Sequence, residues 1–207
     1  SSLLNQDNNK ASGALGFFYA YRLIDKWTEK ENNENRIISV LPLDTVDGYM
    51  KSFLGNDKSF NKAAKRADLL VITIEKKKEL SHISLLPIEI KSYGINSQDH
   101  SYPKPPNEPM LQLKDTLKKL KLFKNELNNS DKSALKNTSL ASLIDASFIL
   151  SSMENSEHVR NALEDAANGD YKICTKSGLI LYFVNRAKKD GGESPVEIYE
   201  AKKNMKV

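Results

Sequence analysis

Asp68 opens one apolar stretch, DLLVITIE (68–75), and Glu89-Ile90-Lys91 closes the next, HISLLPIEIK (82–91). Both are rich in β-branched residues, and the polar EKKKELS between them predicts an antiparallel hairpin centred near Lys78. A hairpin so centred pairs residues whose numbers sum to roughly 156–158, which sets Asp68 opposite the Glu89–Lys91 end. Strand alternation turns Glu89 and Lys91 to one face and Ile88 and Ile90 to the other. Two carboxylates and one ammonium then converge at a strand end. Carboxylates that close repel unless a cation lies between them, and hard oxygen ligands suit Mg²⁺ or Mn²⁺. A lysine beside them can orient a metal-bound water, help remove its proton, or stabilise charge on a phosphoryl group. A Glu-x-Lys also arises on solvated strand faces, where the pair is a weak contact. Here the apolar run LLPI before it buries the strand almost to its end, where charge is costly without a function.

Other elements must hold this hairpin in place. The spacing of Leu15, Phe18, Tyr19, Leu23 and Trp27 predicts an amphipathic helix over 13–27 with Ser12 as N-cap, followed by a polar turn at 29–35. A buried strand is expected over Ile37–Leu43, then a loop with a short helix over 44–65. Pro87 belongs at a sheet edge or a bulge, because it cannot donate to the ladder. The proline-rich stretch Ser92–Pro109 reads as a loop, either a substrate flap or a plain connector. Helices are expected over 110–127, with Lys114, Lys118, Lys119, Lys121 and Lys124 on a basic flank, over 133–153, and over 156–168 with Gly169 as C-cap. Tyr171–Cys174 and Gly178–Val184 read as a second hairpin, followed by a polar turn and the strand-like VEIY.

The chain of 207 residues is long enough to bury a core, and its net charge of +4 permits a polyanionic partner without demanding one. One cysteine, Cys174, excludes an internal disulfide framework and favours a reducing, cytoplasmic setting. His82, His100 and His158 lack ligand spacing. No apolar run approaches the roughly 20 residues needed to span a bilayer, so a soluble, non-membrane protein is expected. Gly13-Ala14-Leu15-Gly16 is no P-loop, since no Gly-Lys-Ser/Thr follows, and any ATPase function would reside on another domain or subunit. The opening without Met and the mixed ending point to a fragment of a longer protein.

RADLLVI (66–72), the polar turn and LLPIEIKSYG (85–94) together resemble the core motif of the PD-(D/E)XK nuclease superfamily. The order SGALGFFYAYRLI, ISVLPLD, RADLL and IEIKSYG is similar, more narrowly, to nuclease-like domains of ATPases or helicases in bacterial DNA defence, including phosphorothioation-dependent restriction. The resemblance implies one α/β, restriction-endonuclease-like domain over 1–207: a mixed central sheet flanked by helices, core about 12–127. It implies Mg²⁺-dependent hydrolysis of DNA, with Mn²⁺ as a substitute, in restriction or antiviral defence. Asp68 and Glu89 become metal ligands with the Ile90 carbonyl as a further one, and Lys91 positions the attacking water. RecB-like relatives place a glutamine on the helix after the motif, which makes Gln112 a site candidate. Asp44, Ser92 and Tyr93 are lesser candidates, and the lysines of 114–124 offer either a solvated helix face or a DNA-backbone contact. Two departures stand out. Many relatives carry a first-helix glutamate, where this chain has Phe17-Phe18 after Gly16 and Asp25 as its nearest helical acid. The residue before the first acid is often proline, and here it is Ala67. The missing glutamate keeps open a catalytically inactive, DNA-binding or assembly module of a larger motor, and an oligomer is compatible with either reading.

Overall fold

The computed structural model describes residues 2–31, 35–44, 46, 66–93, 107–129, 134–149, 156–184 and 196–200. Its central strand, β3 (Leu80–Tyr93), is joined to β2 (Leu69–Lys77) by a two-residue turn at Lys78-Glu79, with Lys78 in the left-handed region at φ 58°. The antiparallel register runs from Lys77↔Leu80 to Leu69↔Ile88. Every pair in it sums to 157, within the span that the sequence predicts. β1 (Arg36–Pro42) pairs antiparallel with β2 on the outer side.

On its other edge β3 pairs in parallel with two short strands in succession. β4 (Tyr171–Thr175) lies along Ser81–Leu85, and β5 (Leu179–Val184) along Ile88–Tyr93. β6 (Val196–Glu200) adds antiparallel to β5. The second hairpin expected from the sequence is therefore wrong: β4 and β5 run in the same direction and share β3 as partner. The Lys176 N–H donates to Leu85 O at 2.8 Å, so Leu85 and, two residues on, Pro87 turn their backbone toward this side. Leu86 and Pro87 there face the three residues Lys176–Gly178. The proline that has no N–H to offer sits at the bulge between β4 and β5, in keeping with its expected place.

Helices cover both faces of this six-stranded mixed sheet. On one side lies α1 (Ser2–Glu31), which starts well before the predicted residue 13, so that Ser12 is inside the helix and is not its cap. Its Ala20 and Ile24 pack on Ile38, Leu69, Val71, Ile88, Ile90 and Leu181. The other face carries α2 (Asn107–Asn128), α3 (Ala134–Phe148) and α4 (Glu157–Asn168), packed in a larger core with Leu70, Ile72, Ile74, Ile83, Leu85 and Ile180. β2 and β3 are apolar on both faces because both are covered. α4 is closed by its own caps: Ser156 Oγ accepts from Val159 N–H, and Gly169 takes the left-handed C-cap at φ 84°. Residues 43, 44 and 46 are helical, but the rest of the predicted 44–65 loop, the 94–106 part of the 92–109 loop, and His100 lie outside the described residues. No described helix is long and apolar enough to cross a membrane.

Three contacts fix α2 on the sheet. The Asn128 side-chain amide donates to Ile173 O at 2.8 Å and accepts from Ile173 N–H at 3.1 Å, doing for β4 what a neighbouring strand would do. The Tyr171 hydroxyl reaches Leu127 O of α2 at 3.4 Å and Asn137 Oδ1 of α3 at 3.0 Å. At Gly178 the helix comes so close that a Cβ would stand 2.3 Å from Leu113 Cδ1, and Leu113 is fully buried. Gly178→Ala must displace the buried Leu113 side chain, or α2 with it. We expect it to lower stability by about 1–3 kcal/mol in urea denaturation; an unchanged midpoint would mean that the contact yields freely.

Candidate metal and phosphodiester site

The hairpin delivers Asp68 and Glu89 to one place, at the open end of the β2–β3 pair. Asp68 N–H donates to Ile88 O at 3.0 Å, continuing the ladder by one rung. The next donor along β3, Ile90 N–H, has passed the end of β2, and Asp68 Oδ2 accepts from it at 2.7 Å. One carboxylate oxygen of Asp68 thus closes the strand end.

Glu89 is turned by strand alternation toward α2, the face shared by Ile83 and Leu85. It is 1% exposed. Lys91 Nζ lies 2.8 Å from its Oε1, while its Oε2 is buried with no hydrogen-bond partner among the described residues. Lys91 Nζ also donates to Gln112 Oε1 at 3.2 Å, so the first turns of α2 close the site from above. Burial, the neighbouring Asp68 charge and only partial relief from Lys91 push the Glu89 carboxyl up to about 7. Asp68 is also raised, chiefly by burial, against the Ile90 N–H and Lys91, which lower it; the Asp44 charge raises it further.

Of the candidates read from the sequence, Asp68, Glu89, Lys91 and Gln112 are brought together. Ile90 contributes its backbone. Asp44 stands nearby, exposed and in an ion pair with Arg66. Ser92 and Tyr93 continue β3, and their side chains lie outside the described residues. Asp25 stays on α1 in a 3.7 Å pair with Arg22 and has no contact with the acids of the hairpin. The basic flank of α2 is less uniform than its sequence suggests. Lys118 and Lys121 are exposed, and Lys118 lies 3.8 Å from Asp115, but Lys119 is 8% exposed and belongs to the buried side.

Sequence reasoning missed Thr116. It is 1% exposed, its Oγ1 accepts from Ala67 N–H at 2.9 Å, and it donates to Gln112 O at 2.9 Å. The available signal was a hydroxyl one turn after Gln112, on a helix face otherwise filled by Leu113, Leu117 and Leu120.

Among the described residues, no three His, Cys, Asp or Glu side chains gather to hold a metal ion. The donor set is a carboxylate pair, with further positions left to a backbone carbonyl and water. That composition fits a hard cation that keeps part of its hydration shell. The unpartnered Glu89 Oε2 fits it too, because a buried anionic oxygen without a donor is costly unless a cation reaches it.

The raised Glu89 predicts the sign of a pH effect. The folded carboxyl keeps its proton to about 7 whereas the unfolded one loses it near 4.5. Between these values the folded state binds more protons, so stability falls as pH rises. In EDTA, Glu89→Gln should gain on the wild type between pH 5 and pH 8 by on the order of 2 kcal/mol in urea denaturation. A constant gap would show that Glu89 ionises as freely in the fold as outside it. No protein-family model, no curated protein and no solved structure matches this chain.

Proposed function

We propose that this chain is a restriction-endonuclease-like domain that hydrolyses DNA phosphodiester bonds with Mg²⁺ or Mn²⁺, working in bacterial restriction or defence beside an ATPase or helicase partner. The observation that carries the reading is the buried, unpartnered Glu89 Oε2 beside Asp68, on the face where Lys91 and Gln112 meet. A mixed sheet held between α1 and the α2–α4 layer is compatible with it.

Asp68 and Glu89 would hold the cation, with the Ile90 carbonyl as a backbone ligand. A divalent cation held there would supply charge neutralisation at the scissile phosphate and a more acidic water. The residues of the chain do the rest. Asp68 is fixed by the Ile90 N–H through one oxygen, which leaves the other for a ligand. Lys91, held between Glu89 Oε1 and Gln112 Oε1, has one more N–H donor, enough to orient the attacking water or a phosphate oxygen. The water oxygen bonds to phosphorus as the bond from phosphorus to the leaving oxygen breaks, and one water proton ends on that leaving oxygen by way of solvent. Helix α2 above the strand end limits bulk water around Glu89, which strengthens each of these interactions.

A second reading draws on α1, which has Phe17-Phe18 where relatives carry a metal-completing glutamate, and whose nearest acid, Asp25, is paired to Arg22. It describes a nuclease-shaped module that binds DNA without cutting it. The two readings separate in one experiment, with linear, circular and single-stranded DNA incubated with the purified chain and Mg²⁺, Mn²⁺ or EDTA. We expect cleavage only with metal, reduced about 100-fold or more in Asp68→Asn, Glu89→Gln and Lys91→Ala. Salt-sensitive DNA binding that weakens on substitution of Lys114, Lys118 and Lys121, with no cleavage under any condition, would favour the binding module. Wild-type cleavage by Glu89→Gln would sink the assigned site.

A further inference from the structure

We infer that Thr116 is a positioning residue of this centre: its buried hydroxyl locks α2 to the residue before Asp68 and so sets Gln112 against Lys91. The inference rests on the nuclease reading of the site and extends it to a residue outside the motif.

Hydrogen bonds join the site groups in a closed circuit. Asp68 accepts from Ile90 N–H, and Lys91, the next residue, bridges Glu89 and Gln112. The carbonyl of Gln112 accepts from Thr116 Oγ1, and that oxygen accepts from Ala67 N–H, one residue before Asp68. Each half of the site is anchored in a different element, the acids and Lys91 in the hairpin and Gln112 in α2. Thr116 ties the Asp68 side of the hairpin to α2 by a buried polar link. A hydroxyl that bonds back to the carbonyl four residues earlier is common in helices and does little by itself. Here the same oxygen also accepts from a second element, and it does so where solvent cannot substitute.

The contact needs a backbone N–H at position 67, which every residue except proline has. Alanine supplies the donor, and Thr116 is the acceptor that uses it. Ala67 and Thr116 therefore act as one unit, with Gln112 placed by both.

The test compares Thr116→Val, which keeps the shape and loses the hydroxyl, with Thr116→Ser, which keeps the hydroxyl, in the wild-type and Gln112→Ala backgrounds. We expect Thr116→Val to lower kcat for metal-dependent DNA cleavage about tenfold with KM unchanged. Thr116→Ser should stay within about twofold, and Thr116→Val should cost nothing further once Gln112 is alanine. Thr116→Ala replaces the valine variant should that one fail to fold. Wild-type kcat in the hydroxyl-free variants, or an equal loss in both backgrounds, would overturn the inference, since the effect would not pass through Gln112. Should the wild type cleave nothing, the nuclease reading falls, and the side-chain amide resonance of Gln112 decides the positioning separately. A shift of that resonance in Thr116→Val but not in Thr116→Ser supports the link, and no shift in either refutes it.

Discussion

The constraint on which this structure turns is the burial of the Glu89 carboxylate. Its strand runs through the middle of a sheet covered on both sides, so a residue near its end still faces the packed layer of α2. One carboxylate oxygen meets Lys91, and the other has no hydrogen-bond partner among the described residues. An isolated charge in such a place is costly, and the protein moderates the cost by raising the proton affinity of the carboxyl and by keeping a lysine within reach. Asp68 adds a second acid at the same strand end, which makes the site worse for an empty protein and better for one holding a cation.

Everything around that pair serves to hold it still. Asp68 is tied to β3 by Ile88 and Ile90 backbone groups, so its position follows from the hairpin register. Gln112 lies on a different element, and its place depends on how α2, tied to Ala67 through Thr116, lies across the sheet. Asn128 pins the far end of that helix to β4, Tyr171 and Asn137 brace it there, and Leu113 fits over Gly178 near its start. Apolar packing sets the distance between the layers, and these few directional contacts set the register. The two kinds of force have different tasks, since burial is indifferent to small slides along a helix axis and hydrogen bonds are not.

The two faces of the sheet divide the work. α1 covers the smaller cluster with Ala20 and Ile24, where Ile88 and Ile90 give β3 its apolar backing. The three later helices cover the larger cluster, the same face that carries Glu89 and Lys91. A strand with period-two alternation can present function to one layer and packing to the other without compromise, because each side chain meets only one of them.

The hairpin was legible in the sequence because its determinants are local. Two apolar, β-branched runs separated by a polar turn define both the pairing and, through the turn position, the register that opposes Asp68 to Glu89. Gly169 and Ser156 were legible as helix ends for the same reason. The parallel strands were not: short runs such as YKICT and LILYFV are as suited to pairing with each other as with a strand more than 80 residues away. The choice was made by the helices between them, which must pack on one face and so carry the chain back to the far edge of β3. Thr116 and the Gln112–Lys91 contact were hidden for a related reason. Amino-acid order determined which groups could do chemistry and on which face each would lie; the packing of α2 against the sheet alone decided which of them meet, since contact across layers depends on distances that no local pattern encodes.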